Sequence, residues 1–503
     1  MERQRNFLRR MCGWLPVLLL SPAAASAAEP WRMASSANFV IYAQYTPEAL
    51  RSYAAQLERF DKAMRVLRRL PDTPVGNANR LTVFVVQNNE TAAKLAGAPG
   101  GGIAGFYQSR AGTSIAVSSR EKAEHWYEMT PQIVLLHEYS HHFMLRRFPA
   151  AYPTWFVEGF AEFYSTAKFQ ADGGMEIGAP ANHRAYEIAV ITNPDLPRML
   201  ADPGNFQGVG SMELYSFGWL LTHYLTFNEA RKGQLATYLD AINRGQPAGE
   251  AAVKAFGNLK QLEREVMTYR IKPMKTVRMS PEELSIGPID VRDLTPGEAA
   301  MIPTLIRARL ATAKKPDRDI AADARRTAAR WPEDVQVLSS LGEAELAGGN
   351  LDAADAAADR VLVSDGKSID ALMLKAEVAL RRATASTGKD DKARLAKEAR
   401  RFALSANRID ADHPVPLILF YRSFIAAGET PTPNAVTGLT RAHLLAPEDA
   451  ELRLMLATQL FDDHKPVEVR LLLTPIAYDP HGGDERKEAL ALLAKLPAAS
   501  PDK

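Results

Sequence analysis

Residues 136–143, LHEYSHHF, decide the fold of the first half of the chain. His137 and His141 lie four residues apart in a helical pattern that begins at Thr130-Pro131, so both imidazoles project from one helix face and can reach one metal ion. Glu138 is offset around the helix and can reach a water molecule beside that ion. With 10 histidines in 503 residues, the pattern is expected by chance roughly 0.01 times, so two unrelated histidines are a weak alternative.

A second motif follows at residues 155–162, WFVEGFAE. Catalytic zinc usually takes three protein ligands and a water. No third histidine follows at the spacing found in metzincins. Instead, Glu158 and Glu162 lie on the next predicted helix, and the 16 residues between His141 and Glu158 are enough for a loop and a returning helix.

Together the motifs H-E-x-x-H and W-x-x-E-G-x-A-E resemble the gluzincin clan of zinc metallopeptidases. The resemblance is closest to bacterial peptidase-MA-like proteins, which often carry tetratricopeptide repeats (TPRs). It covers about residues 110–260, extends in weaker form from 38, and is only architectural after 300. The connection before Glu158 is slightly shorter than in the clan's well-studied aminopeptidases, which leaves the loop geometry open.

The resemblance implies a role for each matching residue. His137, His141 and Glu158 would bind Zn²⁺, and Glu138 would be the general base for peptide-bond hydrolysis. Glu162, one turn beyond Glu158, would accept a hydrogen bond from a ligand histidine. Two alternatives stay open: Glu162 is a solvated helix residue, or the two glutamates exchange roles.

Tyr215 resembles the clan's tyrosine in a Tyr-x-x-Gly segment, whose phenol donates a hydrogen bond to the oxyanion; a packed core tyrosine is the alternative. It is expected just before an apolar helix. His142 is interpreted as a supporting or surface residue, and His183 and His223 as structural or surface groups. Residues 104–108 lack the acid that clan aminopeptidases use to bind a free amine, which favours an endopeptidase or a peptidase of narrow substrate choice.

Residues 1–28 are typical of a cleavable secretory signal: arginines, then an apolar run at 14–20, then small residues at 23–28. An uncleaved anchor is the alternative, but the apolar run is too short to span a bilayer. Cys12, the only cysteine, lies in this segment, so the metal must be bound by His, Asp or Glu. We expect a periplasmic or secreted protein whose near-neutral charge gives no reason to expect nucleic acid or a membrane surface as partner.

After about residue 300 the sequence is rich in alanine and leucine, and turn signals recur near 332, 368, 411 and 447. Helix pairs of about 34 residues are typical of TPRs. The polar insert 387–392 explains the one longer gap. We predict a TPR-like array that binds a protein partner or substrate; a helical domain without true repeats is the alternative.

The overall prediction is an α+β metallopeptidase domain, with a small mixed sheet, the H-E-x-x-H helix and a helical subdomain, followed by an all-α TPR-like superhelix. The predicted segments are a signal peptide (1–28), an N-terminal α/β part (29–128), a helical zinc-site part (129–272), a linker with a short strand (273–298) and the repeats (299–500). The predicted function is zinc-dependent peptide hydrolysis. The competing hypothesis is a catalytically idle metal-binding and TPR scaffold of the cell envelope, which would not need Glu138 as a base.

Overall fold

The computed structural model describes residues 29–100, 103–202, 209–311, 317, 319–477 and 482–497. The predicted signal peptide and Cys12 lie outside these residues. In the described part of the chain, none of the helices combines the length and apolar character needed to cross a bilayer.

The first half of the chain contains a mixed six-stranded sheet. The strands of the described residues are β1 (Arg32–Ser35), β2 (Phe39–Ala43), β3 (Leu81–Val86), β4 (Gly105–Gln108), β5 (Ile115–Ser119), β6 (Lys168–Phe169), β7 (Met175–Ile177), β8 (Val277–Met279) and β9 (Asp290–Asp293). The large sheet has the order β4-β5-β3-β2-β1-β9, with β2-β3 and β3-β5 parallel and the other pairs antiparallel. Strand β4 is therefore an edge strand, and it forms an antiparallel hairpin with β5.

The first half also contains ten helices within the described residues. They are α1 (Pro47–Arg68), α2 (Asn89–Leu95), α3 (Pro131–Arg147), α4 (Thr154–Ser165), α5 (Ala185–Val190), α6 (Leu196–Ala201), α7 (Val209–Phe227), α8 (Gln234–Asn243), α9 (Ala248–Phe256) and α10 (Leu259–Tyr269). Residues Glu229–Arg231 form a 3₁₀ turn, and Gly233, with a positive φ of 82°, separates this turn from α8. Helix α9 and the short helices α2, α5 and α6 were not predicted.

One apolar core joins the sheet to these helices. The buried face of β2 (Phe39, Ile41 and Ala43) and the buried residues of α1, α3 and α4 belong to the same cluster. Residues 273–298, predicted as a linker, contribute β8 to a small sheet with β6 and β7, and β9 to the large sheet beside β1. The short strand predicted within this segment is therefore present as β9, and it packs on the first half of the chain.

The second half is all-α, as predicted. Its helices are α11 (Pro296–Leu310), α12 (Ile320–Ala328), α13 (Val335–Ala347), α14 (Leu351–Ser364), α15 (Ile369–Ala385), α16 (Lys389–Ile409), α17 (Pro414–Ala427), α18 (Pro433–Leu445), α19 (Ala450–Asp462), α20 (Pro466–Ala477) and α21 (Asp484–Leu493). Consecutive helices from α13 to α20 pack together, and the alternate helices α13, α15 and α17 also touch, which is the arrangement of stacked repeats. We call α13–α21 the repeat array.

Candidate metal centre

Helix α3 is held in place by side chains that point away from its two motif histidines. Its first turn is capped by Thr130, whose Oγ1 accepts a hydrogen bond from the Ile133 amide, as the sequence predicts. Tyr139, inside the motif, donates a 2.7 Å hydrogen bond to the Oδ1 of buried Asp61 on α1. Because Tyr139 points toward α1, His137, Glu138 and His141 are left on the other faces of the helix.

Helices α4 and α7 cross at two glycines. A Cβ atom at Gly159 would collide with the carbonyl group of Gly218, and one at Gly218 would lie 3.0 Å from the carbonyl oxygen of Trp155. The close approach requires residues without side chains at both positions. Gly159 directly follows Glu158, and Gly218 lies three residues after Tyr215. The crossing therefore brings Glu158 and Tyr215 into the same region.

Three donor atoms converge between α3 and α4. The Nε2 atoms of His137 and His141 are 3.1 Å apart, and the Oε2 atom of Glu158 lies 3.3 Å from the first and 3.7 Å from the second. A tetrahedral zinc ion with bonds of about 2.0–2.2 Å places its ligand atoms about 3.3–3.6 Å from one another. The three side chains therefore fit around one such cation.

The centre combines buried carboxylates with imidazoles. Glu158 and Glu162 are fully buried. Burial by itself lowers the pKa of His137, but the hydrogen bond to Glu158 and the charges of Glu162, Glu158 and Glu138 outweigh it, so the pKa of His137 is raised. The negative potential of these acids favours a cation at the site.

Glu162 is the centre of a second cluster. Its Oε1 atom lies 3.7 Å from the Nδ1 of His137, on the side of the ring opposite the converging donors. His183 Nε2 lies 2.7 Å from Oε2, and Arg184 donates to Oε1 from Nε at 3.1 Å and Nη2 at 2.5 Å. Although burial opposes ionisation, His183, His137 and Arg184 lower the pKa of Glu162 to about 2. Of the two alternatives for Glu162, the solvated helix residue is wrong, and the donor geometry favours Glu158 as the ligand.

Tyr215 lies inside α7 rather than before an apolar helix, so this part of the prediction is wrong; α7 begins at Val209. Its ring centroid is 6.3 Å from that of His137, and the Arg184 guanidinium lies 4.9 Å above its ring. Burial and the charge of Glu158 raise the pKa of Tyr215, so the phenol keeps its proton. Half-buried at the edge of the centre, Tyr215 can donate a hydrogen bond there.

A cleft of about 520 Å³ opens beside the centre, and Glu138 and His141 contribute to its lining. Residues 106–110, in and after edge strand β4, form one side. The repeat array contributes the rest of the lining through residues 449–451, Pro475, Ile476 and the start of α21. Side chains far apart in sequence thus enclose one space next to the candidate metal ligands.

The remaining histidines have structural partners. His142 is buried, and its Nδ1 lies 2.7 Å from the hydroxyl oxygen of Tyr107 on β4. Burial and the charges of Arg146 and Arg147 lower the pKa of His142. The Nε2 of His223 bridges two backbone carbonyl oxygens at 3.0 Å, which agrees with the structural role expected for it.

His183 and Arg184 are the functional candidates that sequence reasoning missed. They lie in a short 3₁₀ turn, residues 182–184, without helical periodicity that would relate them to α3 or α4. The signal that the sequence does carry is a histidine directly followed by an arginine.

Comparison with known proteins gives limited similarity. No protein-family model matches the chain, and no curated protein matches it in sequence. Among solved structures, TTC0263, a thermophilic TPR protein of Thermus thermophilus, matches 35% of this chain and 89% of its own at 16% identity, with a TM-score of 0.32. Yeast Tom70 matches 62% of this chain and 68% of its own at 13% identity, with a TM-score of 0.26. TM-scores this low define no function.

Proposed function

We propose that the chain is a zinc-dependent peptidase of the gluzincin type, exported to the periplasm or secreted. The observation that supports this proposal most strongly is the convergence of His137, His141 and Glu158. Their donor atoms lie 3.1–3.7 Å apart on two neighbouring helices. The spacing suits a tetrahedral ion with one further position for water or substrate. Residues 1–28 carry the features of an export signal.

The side chains around this triad have complementary tasks. A zinc ion bound there would supply Lewis-acid chemistry, polarising a carbonyl group and making water more acidic. Glu138, at the cleft wall, accepts a proton from the attacking water and delivers it to the leaving amine. Tyr215 donates a hydrogen bond to the oxygen that becomes negative during attack, and Arg184 above its ring holds it near the centre. Glu162 places its charge 3.7 Å from the Nδ1 of His137, too far for a hydrogen bond, and so acts on the ring electrostatically.

The cleft fits a peptide substrate. Edge strand β4 pairs with β5 on one side only and lines the cleft, so its other edge can pair with an extended chain. The repeat array supplies a further surface for substrate or a protein partner.

The test compares the full chain with its Glu138→Gln and Glu158→Gln variants. Zinc content is measured by mass spectrometry, and cleavage is measured on a peptide library. We expect one zinc per chain in the wild type and in Glu138→Gln, with hydrolysis about 100- to 10,000-fold slower in the latter. Glu158→Gln should lose zinc and activity together, because one of three ligands is weakened.

Glu265→Gln is the matched control, since Glu265 pairs with Arg231 in the same half of the chain but not at the centre. It should keep both zinc and activity. Zinc binding without hydrolysis in the wild type would favour the idle scaffold, and a wild type that binds no zinc would reject both hypotheses.

A further inference from the structure

The cleft beside the metal centre is built from two parts of the chain more than 300 residues apart. Glu138, His141 and residues 106–110 come from the first half of the chain, while Ala450, Glu451 and Ile476 form a wall from the repeat array. A substrate that occupies this space beside Glu138 therefore meets residues of the repeat array as well.

Buried polar contacts hold this wall of the repeat array against the first half of the chain. Arg146, on α3, donates from Nη1 to both carboxylate oxygens of Glu448 at 2.9 and 3.0 Å. The Ala111 amide donates a 2.7 Å hydrogen bond to Asp449 Oδ2, and Ala111 packs in the same apolar cluster as Leu452. Both Glu448 and Asp449 are buried, so the array is held firmly against the metal-binding half.

The cleft has an apolar lining and an excess of negative charge. Its apolar side chains include Met144, Leu145, Val157, Pro475 and Ile476, and its charged ones are Glu138, Asp449, Glu451, Glu485 and Arg110. The single cation among them, Arg110, donates to the carbonyl oxygens of Arg309 and Ala311 at 3.2 and 3.3 Å. Asp449 accepts from the amides of Ala111 and Leu452, and Glu485 is half-buried. Glu451 is the exposed acid on this side of the cleft, and its charge and that of Asp449 act on Arg110.

We infer that the repeat array selects the substrate: the cleft takes an extended peptide segment that carries a lysine or arginine side chain, and Glu451 binds that cation. The inference rests on the proposed function, because it concerns the substrate of the same centre. Acids in a confined cleft attract a basic side chain more strongly than the same acids would on an open surface. The apolar lining takes up the neighbouring parts of the peptide.

Binding to the zinc-loaded Glu138→Gln full chain tests this without cleavage. The probes are fluorescein-labelled unstructured peptides of one sequence, with Lys, Gln or Glu at a single position, followed by anisotropy. We expect the Lys peptide to bind about 3- to 10-fold more tightly than the Glu peptide, with the difference shrinking at high salt. Adding Glu451→Gln should remove most of this preference, and adding Glu451→Lys should reverse it.

The matched control adds Glu468→Gln, an exposed acid on α20 outside the cleft lining, which should leave the preference intact. An unchanged preference in both Glu451 variants, an equal effect of Glu468→Gln, or no binding of any peptide would overturn the inference. Cleavage by the wild type distinguishes a failure of the proposed peptidase function from a failure of the proposed substrate selection. Charge-selective binding without hydrolysis rejects the peptidase but not the selection, and hydrolysis whose Lys preference survives Glu451→Lys rejects only the selection.

Discussion

The half that carries the candidate metal centre and the repeat array both bury glutamates, but they give them different partners. In the first half, fully buried Glu158 faces the imidazoles of His137 and His141, while Glu162 contacts both His183 and Arg184. In the array, buried Glu345 on α13 accepts two hydrogen bonds, at 2.5 and 2.6 Å, from Arg325 on the preceding helix α12, and the Arg325 side chain is 53% exposed.

The difference in partners distinguishes a candidate binding site from an ion pair that only stabilises the packing of helices. A guanidinium carries a permanent charge and a fixed fork of donors, so the Glu345–Arg325 pair is electrically complete, and Arg184 provides the same kind of partner for Glu162. An imidazole is charged only when protonated, so Glu158, buried against two histidines, keeps a demand for positive charge that a metal ion would meet. The comparison therefore assigns binding chemistry to the first half and helix-to-helix alignment to the array.

Among the substitutions that test this comparison, Glu162→Gln is expected to have the largest effect. The variant loses the negative charge that His183 and Arg184 contact and that faces His137, so the imidazole proposed to bind the metal loses an electrostatic partner. We expect zinc affinity to fall about 10- to 100-fold. Competition with a zinc chelator measures it, and Glu265→Gln serves again as the control; an affinity within twofold of wild type would contradict the role given to Glu162.

The same variant has a pH signature in the zinc-free protein. The folded-state pKa of Glu162 is about 2, below its ordinary value of 4.5, so its ionised form stabilises the fold above pH 4.5 and that contribution is lost as pH falls toward 2. Urea unfolding between pH 5 and 2.5 should show a shallower loss of stability in Glu162→Gln than in the wild type. Parallel pH profiles would contradict the lowered pKa.

Much of this centre could be predicted from the sequence because its signals are local. The spacing of His137 and His141 follows from helix geometry, and Glu158 and Glu162 follow from the next helical motif. The start of α7 upstream of Tyr215 was missed because an apolar helix gives no sharp sequence signal for its start. Partners such as His183, Arg184 and the wall around Glu451 depend on how distant segments pack, and single-sequence periodicity carries no information about such packing.

A smaller effect is expected where the two regions meet. Arg146→Met leaves Glu448 buried without its guanidinium, and we expect a loss of about 2 kcal/mol in the free energy of unfolding. Burial already raises the pKa of Glu448, so the loss should grow as pH rises from 5 to 8 and the carboxyl group ionises. Replacing both residues with methionine should recover most of the stability and remove this pH dependence. A single variant no less stable than the double variant would show that the pair does not tie the halves together.

The smallest effect is expected inside the array, from Glu345→Gln. The amide keeps the shape of the side chain, and Arg325 can turn to water because half of it is exposed, so the free energy of unfolding should fall by only about 1 kcal/mol. Zinc affinity should not change. Chemical denaturation and chelator competition on the same preparation measure both quantities. The contrast with Glu162→Gln is decisive because the two substitutions are chemically identical. A comparable loss of zinc affinity in Glu345→Gln would mean that the array shapes the metal centre. The assignment of binding chemistry to the first half and of helix alignment to the array would then be wrong.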